Sequence, residues 1–111
     1  MRLPRADEAI VPVEKLRDYL LSRSHPVGRN KAKFFAGLGY TEGEWRGLEA
    51  DLRSQHLQLD AKEVESSKYG RKFVITGPFT GPSGGTVILT SIWVVRAGEE
   101  RPRFVTAYPG E

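Results

Sequence analysis

A chain of 111 residues fits one domain with a substantial hydrophobic core and is too short for two. With 39% hydrophobic and 28% charged residues it reads as a globular chain rather than a disordered one, and the absence of cysteine excludes a disulfide framework, a thiolate zinc site and an iron–sulfur cluster while fitting a reducing compartment. Net charge is only +3, yet residues 19–41 and 66–98 contain no acid while residues 42–65 contain seven. Such segregation predicts a basic face suited to a polyanion, or more simply a solvated charged surface.

Residues 1–11 carry Pro4, scattered charges and no periodicity, and read as an N-terminal arm ordered in part by Ile10 and Val11. Residues 12–109 read as a single α+β domain. Pro12 suits the first turn of a helix, and Val13, Leu16 and Leu20, with Tyr19 beside them, repeat at helical spacing. This first helix should end near residues 22–24, because His25 precedes Pro26 and is pushed towards an extended conformation. A second helix is expected from Arg29 or Asn30 to Leu38, with Ala32, Phe34, Phe35 and Leu38 forming its apolar face. Gly39 suits a left-handed stop, with Tyr40 packing back on Phe35. Thr41 and Glu44 have the spacing of a capping box, opening a third helix through Trp45, Leu48 and Leu52 to about His56.

After Leu59 the period changes to two. Strands are expected over residues 62–65, at a charged edge; over 71–77, stopped by Pro78; over 86–96; and over 103–108. The third is apolar on both faces and should lie inside the sheet. The predicted fold is α+β, with three N-terminal helices packed on one face of a four-stranded antiparallel meander.

The chemistry concentrates at residues 25–33. Arg29, Lys31 and Lys33 crowd a helix N-terminus, where the macrodipole disfavours cations unless an anion sits among them. Two histidines without partners at helical spacing, no cysteine and no phosphate-binding loop predict neither a metal site nor a cofactor. What remains suits metal-independent cleavage of RNA by its own 2′-hydroxyl, which needs a base, an acid and cations on the phosphate. His25 is the acid/base candidate, with Lys31 and Arg29 on the phosphate; hydrogen bonding within its own turn is the simpler role for His25. His56, ending an acidic helix, needs no role beyond the helix dipole. Thr106 and Tyr108 share one face of the last strand, Ser91 interrupts an apolar strand, and Arg71 lies beside Tyr69 at a turn where a nucleotide could stack.

The runs His25-Pro26-Val27-Gly28, Lys31-Ala32, Phe34-Phe35, Leu38-Gly39-Tyr40 and Phe104-Val105-Thr106-Ala107-Tyr108-Pro109, with Tyr69-Gly70-Arg71-Lys72 and Thr90-Ser91-Ile92-Trp93 between them, resemble an uncharacterised family of small bacterial domains. That family occurs alone and as C-terminal modules of larger toxins. More distantly, the Val-Thr-Ala-Tyr-Pro ending is similar to the barnase–EndoU–colicin–RelE group of ribonuclease toxins. The resemblance implies a barnase/RelE-like fold, a catalytic set of His25, Lys31 and Thr106, and substrate contacts from Arg29, Arg71, Ser91 and Tyr108. It also implies RNA as a partner and a neutralising antitoxin or immunity protein as another. No apolar run approaches a membrane span and Met1 to Arg5 contain no signal core, so a cytoplasmic protein is expected. The alternative is a non-catalytic module that binds a protein or a nucleic acid.

Overall fold

The computed structural model describes residues 1–110. A 3₁₀ turn at Ala6–Glu8 precedes helix α1 (Val13–Lys15), which runs directly into a π turn at Leu16–Leu20. Helix α2 (Arg29–Gly37), a 3₁₀ turn at Glu42–Glu44, helix α3 (Trp45–Ser54) and a 3₁₀ turn at His56–Gln58 follow. Strands β1 (Lys62–Ser67), β2 (Gly70–Thr80), β3 (Thr86–Arg96) and β4 (Arg103–Pro109) form one antiparallel sheet in sequential order. The fold is α+β.

One sheet face is core. Phe73, Ile75 and Phe79 of β2, Leu89, Trp93 and Val95 of β3, and Phe104 and Ala107 of β4 are buried against Leu16, Leu20, Phe35, Leu48 and Leu52 of the helical layer. Residues 1–11, read from sequence as an arm, contribute Leu3, Ala6, Ala9 and Val11 to this core. Ile10 pairs in parallel with Arg103, its N–H bonding Pro102 and its carbonyl accepting from Phe104.

Helix α2 ends as its sequence dictates. Gly39 adopts φ 106°, its N–H donates to the Ala36 carbonyl at 3.0 Å, and Tyr40 N–H donates to the Phe35 carbonyl at 3.0 Å. These two bonds define a Schellman stop, with Tyr40 against Phe35 at 6.3 Å between ring centroids. The Tyr40 hydroxyl donates to the Asp51 carboxylate on α3; burial and that carboxylate push the phenol well above its ordinary range.

Three expectations about elements need correction. Thr41 makes no side-chain cap; the turn is closed by Glu44 N–H on the Thr41 carbonyl, and the Glu42 carboxylate instead accepts from Arg23 N–H. The first helix is interrupted, because Leu21 N–H reaches the Leu16 carbonyl, five residues back. Strand β2 does not stop at Pro78 but pairs through Thr80. Its partner Ile88 turns its carbonyl to β4, accepting from Gly110 N–H at 2.8 Å. Pro78 therefore faces away from β3, towards an edge that β1 leaves uncovered beyond Val74, and its missing N–H breaks no ladder bond.

Beneath the helices, a buried polar chain crosses the core. Trp93 Nε1–H donates to Ser91 Oγ at 2.9 Å, Ser91 lies 2.7 Å from His56 Nδ1, and His56 Nε2 lies 3.4 Å from the Gly77 carbonyl. The chain is self-consistent when Ser91 donates to Nδ1 and the ring proton sits on Nε2. Burial is the main cause that lowers the His56 pKa below its ordinary 6.5, against the opposing backbone hydrogen bonds. A histidine held neutral in the fold but free to charge when unfolded removes stability as pH falls through its unfolded pKa. The urea midpoint is thus expected to be level above about pH 6.5 and to fall between there and about pH 5, before the carboxylates titrate. A level midpoint across that window would show that the ring is not held neutral.

Candidate active site

The turn before α2 is built on His25. Its Nδ1 accepts from the N–H groups of Val27 at 3.0 Å and Gly28 at 2.9 Å, satisfying donors that a short helix entry leaves free. The ring proton then sits on Nε2, the nitrogen left to meet a ligand. The imidazole packs edge-on against Tyr19, with centroids 5.1 Å apart. Gly28 allows this closeness: a Cβ there would lie 2.1 Å from the Tyr19 carbonyl oxygen.

Lys31, the third residue of α2, points the other way around the helix from Arg29 and reaches β4, the edge strand of the sheet. Its ammonium donates to the Tyr19 hydroxyl at 3.0 Å and to Thr106 Oγ1 at 2.9 Å, 75 positions along the chain. It also lies 5.2 Å from the Tyr19 ring centroid and 5.9 Å from that of Tyr108. An ammonium has three donors, so one remains for a ligand. The Lys31 hydrogen bond is the main influence holding the Tyr19 phenol below its ordinary range, with a second from Thr106, against partial burial.

Two backbone irregularities aim the groups that grip Lys31. Tyr19 lies within the π turn, and Thr106 directly follows a β-bulge, where Ile92 pairs Thr106 and Trp93 pairs Phe104 so that Val105 is the extra residue. Both kinds of irregularity are frequent at functional sites, because each re-aims a side chain that a regular element would direct elsewhere.

The structure thus gathers His25, Lys31, Thr106 and Tyr108 around Tyr19, which the sequence offered only as a neighbour of the first helix face. It does not bring the other three expected residues there. Ser91 is fully buried on the core face, its hydroxyl taken by Trp93 and His56. Arg71 shares the parity of Phe73, lies over that ring and is engaged by both carboxylate oxygens of Glu63. Its face is therefore the one opposite Lys72, Thr90 and Tyr108. Arg29 lines a separate concavity with Arg23, Lys33 and Ala36. Among the described residues, no three His, Cys, Asp or Glu side chains converge as metal ligands, and no helix is long and apolar enough to cross a membrane.

A small α+β domain with helices on one sheet face and a lysine-centred polar cluster at the sheet edge is the class these observations define. Residues 2–111 match the domain of unknown function DUF6883, and the chain belongs to that family. In fold it is similar to a chain of the contact-dependent growth inhibition toxin–immunity protein complex from Klebsiella pneumoniae 342, with a TM-score of 0.68 over 92% of this chain and 100% of that one at 21% identity. No curated protein matches the chain in sequence.

Proposed function

We propose that the domain is a metal-independent ribonuclease of the toxin type, barnase- or RelE-like, acting on cytoplasmic RNA at the Tyr19–Lys31–Thr106 cluster. The observation that carries this reading is Lys31, gripped by one residue of the helical layer and one of the last strand while keeping a donor free. The fold-level likeness to a chain from a toxin–immunity complex supports a toxin-related or immunity-like role, and a neutralising partner protein accordingly.

In this mechanism His25 Nε2–H holds a non-bridging phosphate oxygen, and the free Lys31 donor faces the 5′ oxygen, where negative charge grows in the transition state. Ionised Tyr19 takes the 2′-hydroxyl proton as that oxygen attacks phosphorus. The departing 5′ oxygen takes a proton from Lys31, and the 3.0 Å Tyr19–Lys31 hydrogen bond returns one from phenol to amine. The products are a 2′,3′-cyclic phosphate and a free 5′-hydroxyl. Thr106 positions Lys31, and Tyr108 offers its ring to a base. His25 serves as a donor rather than an acid/base pair, since its Nδ1 is occupied by two backbone amides.

Purified protein incubated with RNA in EDTA should yield cyclic-phosphate ends, at a rate rising with pH as the Tyr19 phenol ionises. Tyr19→Phe should lower the rate about 10²–10⁴-fold and flatten that rise. No cleavage by the wild type, or an equal rate and pH profile in Tyr19→Phe, would overturn the assignment. One observation favours the second reading, a non-catalytic binding module: the His25 turn is fully explained by its own backbone bonds. RNA binding without cleavage in the same experiment would select it.

A further inference from the structure

Helix α2 carries cations on two faces. At 100° per residue, Arg29 and Lys33 lie 40° apart, and each lies 160° from Lys31 around the helix. They line a concavity with Arg23 and Ala36. Like charges four residues apart on a helix destabilise it by a few tenths of a kcal/mol. The guanidinium groups of Arg5, Arg17, Arg53, Arg71 and Arg103 are each paired with a carboxylate, while Arg2 and Arg101 donate to backbone carbonyls and Arg46 lies over the Trp45 ring. Among the described residues, no such pair is made by Arg23, Arg29 or Lys33; Glu42, the nearest acid in sequence, takes the Arg23 backbone N–H. Three exposed cations thus line one hollow, in a segment with no acid from residue 19 to 41, and none of their side chains is paired with a carboxylate among the described residues. A mobile counter-ion would suffice for one of them. Three around one hollow fit the several oxygens of a phosphate, which a planar guanidinium meets two at a time.

We propose that the Arg23–Arg29–Lys33 concavity binds a second phosphate of the RNA strand whose scissile phosphate lies at Lys31, so that the strand crosses the entry of α2 between the two. This subsite rests on the ribonuclease reading for its ligand but not for its test. It makes the enzyme selective for chains over dinucleotides, because only a chain reaches both faces of a helix about 10 Å across.

The probe is a fluorescent, non-cleavable 2′-O-methyl oligonucleotide of about ten residues, titrated by anisotropy at salt concentrations from about 50 to 200 mM. Arg29→Ala/Lys33→Ala should bind roughly tenfold more weakly at low salt, with a salt slope shallower by about 1.4, from two contacts at about 0.7 each. Cleavage of a dinucleotide should be unchanged by the double substitution, whose melting temperature should equal or slightly exceed that of the wild type. Unaltered affinity and slope would overturn the subsite while leaving the ribonuclease reading to stand on dinucleotide cleavage. Wild type that fails to bind the oligonucleotide, or that releases it equally well to polyglutamate, would also overturn the subsite, the latter by showing attraction to any anionic chain.

Discussion

Lys31→Met is expected to reduce RNA cleavage by about 10²–10³-fold, the effect of removing one donor from the developing charge on a transferring group. The substitution keeps most of the aliphatic stem and removes the ammonium, with its hydrogen bonds to Tyr19 and Thr106 and its approach to the Tyr19 and Tyr108 rings. What remains is a Tyr19 hydroxyl and a Thr106 hydroxyl, both half-buried at the sheet edge and able to turn to water. Two part-buried hydrogen bonds and two ring contacts are lost together, so the stability loss should be about 1–3 kcal/mol. Rate and thermal melting measured on the same sample separate the two effects. A variant that cleaves like the wild type would overturn the catalytic role, and one that does so while melting lower would show that the gripped lysine serves only to join α2 to β4. A second consequence is spectroscopic: without the ammonium, the Tyr19 phenol should titrate higher, since Lys31 is its main stabiliser as phenolate.

Gly28→Ala should destabilise the fold by about 3 kcal/mol, although its backbone conformation is ordinary. At φ −76° and ψ −19° an alanine is freely tolerated, and both helix propensity and a stiffer unfolded chain would favour it by up to about 1 kcal/mol each. Contact decides the sign. The new Cβ would lie 2.1 Å from the Tyr19 carbonyl oxygen and 2.8 Å from its carbon, both backbone atoms that no rotamer change can move. The His25 turn must then lift from the π turn, taking the imidazole away from Tyr19. Chemical denaturation reads the loss of stability. Gly37→Ala, where nothing lies within 4 Å of the new Cβ, is the matched control and should be neutral or stabilising.

Local rules carried much of the fold. The Phe35–Tyr40 stop needs only a glycine and an aromatic at fixed spacing, and strand β3 was bounded by its own apolar run and flanking glycines. Pro78 misled because a proline's effect depends on which neighbour its missing N–H faces, and that is decided by the length of β1. Four of the five residues of the candidate site were legible, since a histidine before proline, a cation-rich helix entry and a threonine and tyrosine on one face of the last strand are visible residue by residue. Tyr19 was not, because the π turn that directs it depends on packing around Leu16 and Leu20, and a regular helix would place it differently. Parity alone excludes Ser91: it shares the face of Leu89, Trp93 and Val95, which are buried in the core. Arg71 shares the parity of Phe73 in the same way.

At the far end of β2, the Gln55 side chain donates to the Thr80 carbonyl at 2.9 Å and accepts from Thr80 N–H at 2.8 Å. Its amide copies the hydrogen-bonding pattern of an adjoining peptide, at the level where β1 has already ended. An open strand edge is a template on which another chain can extend the sheet. Gln55 occupies that template at Thr80 and Pro78 removes a donor from it, so the edge left by the short β1 offers another chain few pairing groups.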